Sequence, residues 1–103
     1  MYIWLDDMRQ PPPNTLWAKT AKDVINFLTS YNPEQESLYI DLDHDLGTKM
    51  TGYDLCKWLI QQPYIGKFHI HSMNPVGRQN MYELLIHYGW QPFNSCKIKK
   101  FMI

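Results

Sequence analysis

The chain is poor in the features that most quickly decide a function class. Its two cysteines, Cys56 and Cys96, stand far apart with no Cys-x-x-Cys or Cys/His finger spacing, which argues against a thiolate zinc centre and against a disulfide framework. They read as free thiols in a reducing compartment. Excess charge of one sign is missing as well: ten Lys+Arg balance ten Asp+Glu, so no overall basic field drives sequence-independent binding to nucleic acid or an anionic membrane. Recognition has to be local. No apolar run has signal-peptide or membrane length, because Asp6 and Asp7 interrupt the N-terminal one almost at once; a cytoplasmic protein with no membrane partner is expected. Internal repeats and low-complexity tracts are absent too. With 103 residues there is room for a single domain, 1–103. What is present is a 45% hydrophobic and 15% aromatic composition, enough to bury a core without disulfides or a structural metal as the main support.

Period and punctuation give strand-like runs alternating with helix-like segments, the pattern of an α/β domain with a mostly parallel sheet. The first run, Tyr2 to Leu5, ends in Asp6-Asp7. Pro11-Pro12-Pro13 follow, and three residues without amide donors predict an extended loop where a first helix would otherwise stand. Leu16 to Lys19 reads as a second short strand. Thr20 then occupies an N-cap position, with Asp23 favouring a helix that runs to about Ser30 on the apolar face Ala21, Val24, Ile25 and Leu28. Leu38 to Leu42 is the central-strand candidate. After Gly47 and Gly52, Tyr53 to Gln62 reads as a helix with Pro63 beyond it. Phe68 to Ser72 is the next strand, Asn74 to Gly77 a turn, and Gln79 to His87 a third helix stopped by Gly89. Cys96 to Ile103 is expected to be the fifth strand.

Ligands of open parallel sheets bind outside the carboxyl ends of the strands, where neighbouring loops diverge. Three strand ends here are chemically loaded: Asp6-Asp7, Asp43-His44-Asp45, and His71-Ser72-x-Asn74. If the three strands are parallel neighbours, four carboxylates converge and repel, and a cation is the simplest remedy. Asp6, Asp7, Asp43 and Asp45 are the expected metal ligands. Oxygen donors suit Mg²⁺, and a histidine donor tilts the preference toward Mn²⁺. Such an ion bridges carboxylates and phosphoryl oxygens. His71 is the expected proton carrier, His44 a ligand or second base, and Asp43 part of the same catalytic group. Arg78 at the opening of the third helix and Arg9 from the proline-rich loop supply cations for phosphate, with Ser72 and Asn74 as further ligand-binding groups.

Each residue also has a blander reading. Asp6-Asp7 also fits a polar turn, and Ser72 with Asn74-Pro75 fits an Asx or Ser turn. His69 lies deeper in its strand than His71 and reads as a satisfied or supporting histidine. His87, late in a helix, suits the helix dipole. Trp4 and Trp58 read as core, whereas Trp17 and Trp90 are candidates to line a base-stacking pocket. Lys97, Lys99 and Lys100 read as a solvated edge strand, or as the cations a phosphate needs.

Four motifs in order, Leu-Asp-Asp-Met-Arg-Gln-Pro-Pro at 5 to 12, Asp-His-Asp-Leu-Gly at 43 to 47, Thr-Gly-Tyr-Asp-Leu at 51 to 55 and His-Ser-Met-Asn-Pro-Val-Gly-Arg-Gln-Asn-Met at 71 to 81, resemble the cyclic-phosphate processing receiver-like domain family. The resemblance covers most of the chain. It implies a derivative of the response-regulator receiver fold, a flavodoxin-like, mostly parallel five-stranded sheet, in which Asp6 and Asp7 match the acidic pair, Asp43 the strand-three aspartate and Ser72 the hydroxyl position. His44, Asp45, His71 and Asn74 are additions to the ordinary receiver pattern. The helix complement is reduced: Pro11 to Asn14 replace the first receiver helix, and the chain ends after the fifth strand, without the last one. One sheet face is therefore expected to be thinly covered, and a homodimer is a candidate cover. The receiver lysine has only Lys99 and Lys100 as counterparts, without the proline that normally follows.

Two functions follow as expectations. The first is a metal-dependent phosphoesterase, with Mg²⁺ or Mn²⁺, acting on the cyclic phosphate of a nucleotide or RNA end. The second is a non-catalytic receiver-like module that binds a phosphorylated small molecule or a protein partner. Phosphoacceptor signalling at Asp43 is a third, weaker reading.

Overall fold

A five-stranded sheet carrying three helices accounts for the regular structure in the computed structural model, which describes residues 1–93. In chain order the elements are β1 (Tyr2–Leu5), β2 (Leu16–Ala18), α1 (Ala21–Leu28), β3 (Tyr39–Leu42), α2 (Gly52–Leu59), β4 (Lys67–Ile70), α3 (Pro75–His87) and β5 (Gln91–Pro92). Every pairing is parallel and the spatial order is β2-β1-β3-β4-β5. This is the receiver-like, flavodoxin-type arrangement expected from the sequence.

Strand alternation sorts the side chains into two layers. Ile3, Leu5, Ile40, Leu42, Phe68 and Ile70 face the helices and form one core with Val24, Leu55, Leu59, Met81 and Leu85. The steps from β2 to β3, β3 to β4 and β4 to β5 all progress across the sheet in one direction, so right-handed crossovers put all three helices on the same face. The step from β1 to β2 runs the other way. A helix there would cover the opposite face, but residues 6–15 carry that crossover as a loop. Its turns are tied by side chains: Thr15 donates to the Pro12 carbonyl at 2.8 Å, Trp4 Nε1 to the Arg9 carbonyl at 3.0 Å, and Trp17 Nε1 to the Asp6 carbonyl at 2.8 Å. The face this leaves carries Tyr2, Trp4, Tyr39, Asp41, Lys67 and His69, and no helix covers it among the described residues.

The helices start where local chemistry directs. Thr20 and Thr51 each close a capping box with an aspartate three residues on. The third helix begins earlier than the sequence suggests. Asn74 to Gly77, expected as a turn, supplies its N-cap and first residues: the Asn74 side chain accepts from the Gly77 amide at 2.9 Å, and Pro75 occupies the first turn, where its missing amide and preset φ cost nothing. Gly89, with φ +92°, terminates it as expected. The fifth strand is Gln91–Pro92; the run Cys96 to Ile103, with Lys97, Lys99 and Lys100, lies outside the described residues. Trp90 is 2% exposed and belongs to the core, so it lines no base-stacking pocket: its ring lies beside Gly66 and Leu38. Cys56 is a buried thiol whose pKa is pushed up by burial.

At Gly52 a β-carbon would meet the backbone carbonyl of Asp43, with the Met81 methyl also in contact. Glycine here lets α2 start directly beneath the Asp43 loop. Gly52→Ala is expected to destabilise the fold by about 1–3 kcal/mol, as overpacking does, measured as a lowered midpoint in urea; an unchanged midpoint would contradict that packing.

Candidate functional site

The carboxyl ends of β1, β3 and β4 meet because the ladder runs one residue beyond each strand. The Asp6 amide donates to the Ala18 carbonyl at 3.0 Å, the Asp43 amide to Leu5 at 3.1 Å, and the His71 amide to Leu42 at 3.0 Å. These bonds hold the backbones of Asp6, Asp43 and His71 side by side. One ligand atom from each of the three lies within 4.8 Å of the other two. Three of the distant motifs are thus brought to one rim.

His71 is the hub of that rim. Its Nδ1 lies 2.6 Å from Asp41 Oδ1 and its Nε2 3.0 Å from Asp6 Oδ2. The Trp4 indole stacks on the imidazole with centroids 4.1 Å apart and planes 3° from parallel, so the ring can neither flip nor tilt without losing both bonds. Asp41 is fully buried and also holds His69 Nδ1 at 3.0 Å, with the Tyr2 hydroxyl 3.5 Å from its other oxygen. Asp6 is buried too, and its Oδ1 accepts the amides of Met8 and Arg9 at 2.8 Å each, an Asx-type turn that closes the start of the proline-rich loop.

Electrostatics follow from these contacts. Burial opposes ionisation of Asp6, but the amides of Arg9 and Met8 and the His71 ring outweigh it and hold the carboxyl below the usual range. Burial opposes ionisation of Asp41 more strongly, and the bonds and charges of His69 and His71 again prevail, leaving its pKa lowered. For His71, burial disfavours the imidazolium, while Asp41, then Asp6 and the charge of Asp43, favour it and raise the pKa above its ordinary 6.5. An imidazolium between two carboxylates therefore supplies, from within the chain, much of the neutralisation that crowding of acids calls for.

The other expected site residues take separate positions. Asp7 is half-buried, with Oδ2 against Gly47, and is not one of the three clustered ligands. His44 packs its ring against Gly77 at the start of α3, with Nδ1 2.8 Å from Asp45 Oδ1 and 3.4 Å from Asn74 Nδ2. Asp45 is directed to that pair, its pKa lowered chiefly by His44, and it too stands apart from the cluster. Ser72 is buried and its Oγ accepts the Asn74 amide at 3.1 Å, while Asn74 caps α3, so both side chains serve local turns. Arg9 is exposed on the proline-rich loop, and Arg78 is exposed in α3. Trp17 is half-buried with the Lys19 ammonium 4.6 Å from its ring. Trp4, read from sequence as core, instead forms the stacking wall for His71. His69 has the supporting place expected of it. Asp41 was missed; the available signal was an acid inside a strand, on the same alternating face as the two histidines of the next strand.

Residues 1–87 match the family model of the cyclic-phosphate processing receiver domain. No curated protein matches the chain. No solved structure matches it either.

The charged bridge has a pH signature. With its pKa raised, His71 contributes stability that is complete below 6.5 and disappears as pH climbs through its folded value. Asp6 and Asp41, with lowered values, contribute above 3.8 and lose that contribution as pH falls through theirs. In EDTA, an NMR titration of the His71 ring is expected to give a midpoint above 6.5, and Asp41→Asn to move it down. A wild-type midpoint at or below 6.5 would contradict the bridge.

Proposed function

Because the chain belongs to the cyclic-phosphate processing receiver domain family, we propose that it is a metal-dependent phosphoesterase that opens the cyclic phosphate of a nucleotide or RNA end. The observation that carries this reading is the convergence of Asp6, Asp43 and His71 within 4.8 Å at the rim of the sheet. Two carboxylates and one imidazole fit a divalent cation. The fit extends outward, because a ligating histidine ordinarily gives its second ring nitrogen to a carboxylate, and buried Asp41 receives Nδ1 of His71 at 2.6 Å. The mixed nitrogen and oxygen donors favour Mn²⁺ over Mg²⁺.

A cation at this place would supply charge neutralisation for phosphoryl oxygens and lower the pKa of a bound water. The chain's residues divide the rest. Asp6 and Asp43 orient through carboxylates whose backbones are locked in the ladder. His71 presents Nε2 to the rim, held by Asp41 and the Trp4 stack. With that nitrogen engaged, His44, steadied at Nδ1 by Asp45, is the second imidazole available to move a proton. In the overall change, water adds its oxygen to phosphorus, one ring P–O bond breaks, and the released oxygen takes up a proton to give a monoester. Arg9 remains an exposed cation on the proline-rich loop.

A second reading, a non-catalytic receptor for a phosphorylated ligand, is favoured by one observation: His71 already bonds a carboxylate through each ring nitrogen, so the acids are largely balanced without turnover chemistry. Incubation with Mn²⁺ or Mg²⁺ and a panel of 2′,3′-cyclic nucleotides and cyclic dinucleotides separates the two. Monoester product is expected, with Asp43→Asn and His71→Ala reducing the rate by roughly a hundred-fold or more. Saturable binding without product would establish the receptor, and product formed equally by wild type and Asp43→Asn would remove the rim from the reaction.

Occupancy by a cation and protonation of His71 compete for the same nitrogen. Mn²⁺ affinity, measured by calorimetry, is therefore expected to rise with pH until His71 has passed its raised pKa and then to level off. Affinity independent of pH across that range would place the ion elsewhere.

A further inference from the structure

The register of the sheet carries a fourth side chain to the rim. Trp17, Trp4, Asp41 and His69 are successive partners across β2, β1, β3 and β4, and the residues two further along the chain are Lys19, Asp6, Asp43 and His71. The last three are the clustered ligands. Resting on the reading of the rim as a cyclic-phosphate site, we propose that Lys19 is its phosphate-binding cation, donating from the β2 flank to a non-bridging oxygen of the substrate.

Placement comes first. The Lys19 ammonium lies 4.6 Å from the centre of the Trp17 ring, so its side chain shares the face of the residue two positions back, as strand alternation requires. The backbone there is fixed from both sides. The Ala18 carbonyl accepts the Asp6 amide at 3.0 Å, and the Lys19 amide donates to Asp23 Oδ2 at 3.0 Å within the cap of α1. Trp17 completes the frame, its Nε1 donating to the Asp6 carbonyl at 2.8 Å. Neighbouring strands lie ~4.8 Å apart, so the Lys19 backbone stands about one such step from Asp6 and about two from Asp43. Its flexible four-carbon stem covers that range. β2 is an edge of the sheet, so no further strand of the sheet blocks a ligand on that flank.

Charge gives the reason for a cation in this place. A divalent ion balances Asp6 and Asp43, and with His71 neutral at the ion the buried Asp41 adds a negative charge behind it. An incoming phosphodiester adds another. Lys19 is free to answer it: the residue is exposed and forms no ion pair among the described residues, and a cation–π contact at an exposed site is a weak hold. A phosphate can therefore draw the ammonium off the indole without breaking a salt bridge. A lysine whose task was only to guard an edge strand against pairing would need no place in the row of ligands. Arg78 differs in position, since it extends from α3, which packs on the opposite face of the sheet.

The test measures binding and hydrolysis of adenosine 2′,3′-cyclic phosphate by the full chain in Mn²⁺, with Mn²⁺ affinity alone read by calorimetry. Lys19→Met keeps the apolar stem and removes the charge, and Lys19→Arg keeps the charge. The first is expected to lose roughly ten-fold or more in kcat/KM, or in nucleotide affinity if the site binds without turnover, and the second to stay within about three-fold of wild type. Mn²⁺ affinity is expected to be unchanged or tighter in Lys19→Met, because a positive charge beside Asp6 has gone; a merely structural lysine would weaken both. Circular dichroism confirms the fold of each variant. Nucleotide binding and turnover by Lys19→Met equal to those of wild type overturn the assignment and leave the cyclic-phosphate reading standing. Equal loss in both variants, or weakened Mn²⁺ binding in Lys19→Met, makes the residue structural and overturns it too. Neither binding nor turnover by wild type sinks the reading of the rim, and the role of Lys19 with it.

Discussion

A carboxylate without solvent in the middle of a β-strand is costly unless charge and hydrogen bonds compensate it. Asp41 is in that position, and two imidazoles answer it, His69 from the paired residue of β4 and His71 two residues later. The constraint propagates. His71, drawn onto Asp41 through Nδ1, must aim Nε2 outward, where it meets Asp6. Asp6 in turn accepts two amides of the loop that follows β1, so the loop's course is set by the same residue that bounds the rim. Removing Asp41 would therefore disturb more than one bond. It would release the orientation of the histidine around which the three strand ends are organised.

The reduced helix complement explains how such a network can exist. In a sheet covered on both faces, the residues at Trp4, Asp41 and His69 would pack against a helix and be chosen for apolar fit. Here residues 6–15 cross from β1 to β2 without a helix, and that face instead holds rings that shield a charge. Trp4 lies beside Asp41 in the β1–β3 register and stacks on His71. Ring planes lie over the polar centre, while among the described residues the main hydrophobic core lies on the other face. The receiver architecture is retained, with its chemistry extended from the strand ends down onto a strand interior.

Much of this was legible in the sequence, for identifiable reasons. Short apolar runs ending in acids marked β1 and β3, and Thr20 with Asp23 marked the start of α1, because each signal is local. Asn74-Pro75 misled because the same pair serves a turn and a helix N-terminus, and only the tertiary position of α3 distinguishes them. The basic run at the C-terminus reads as a fifth strand, whereas the pairing next to β4 begins at Gln91, just after Trp90 has entered the core against Gly66. Asp6, Asp43 and His71 were found as strand-end residues, yet Asp7 and Asp45 differ from them only by one or two positions in sequence. Direction of the side chain separates these pairs, and that depends on the Asx turn at Asp6 and on the His44–Asp45 contact. Asp41 escaped because a lone acid in a strand is ordinarily a surface residue; only the register against His69 and His71 shows what it does.

A rim built in this way carries two states of one nitrogen: protonated and bridging to Asp6, or neutral and available to a cation. The phosphate chemistry proposed for the chain rests on the second state being accessible in the same geometry. Anomalous scattering from a crystal grown with Mn²⁺ addresses this most directly. The account expects a single strong peak within bonding distance of an Asp6 oxygen, an Asp43 oxygen and His71 Nε2, with Nδ1 still on Asp41. A peak seated elsewhere, or Asp6 and His71 still bonded to each other in a crystal whose Mn²⁺ lies at another site, would contradict it.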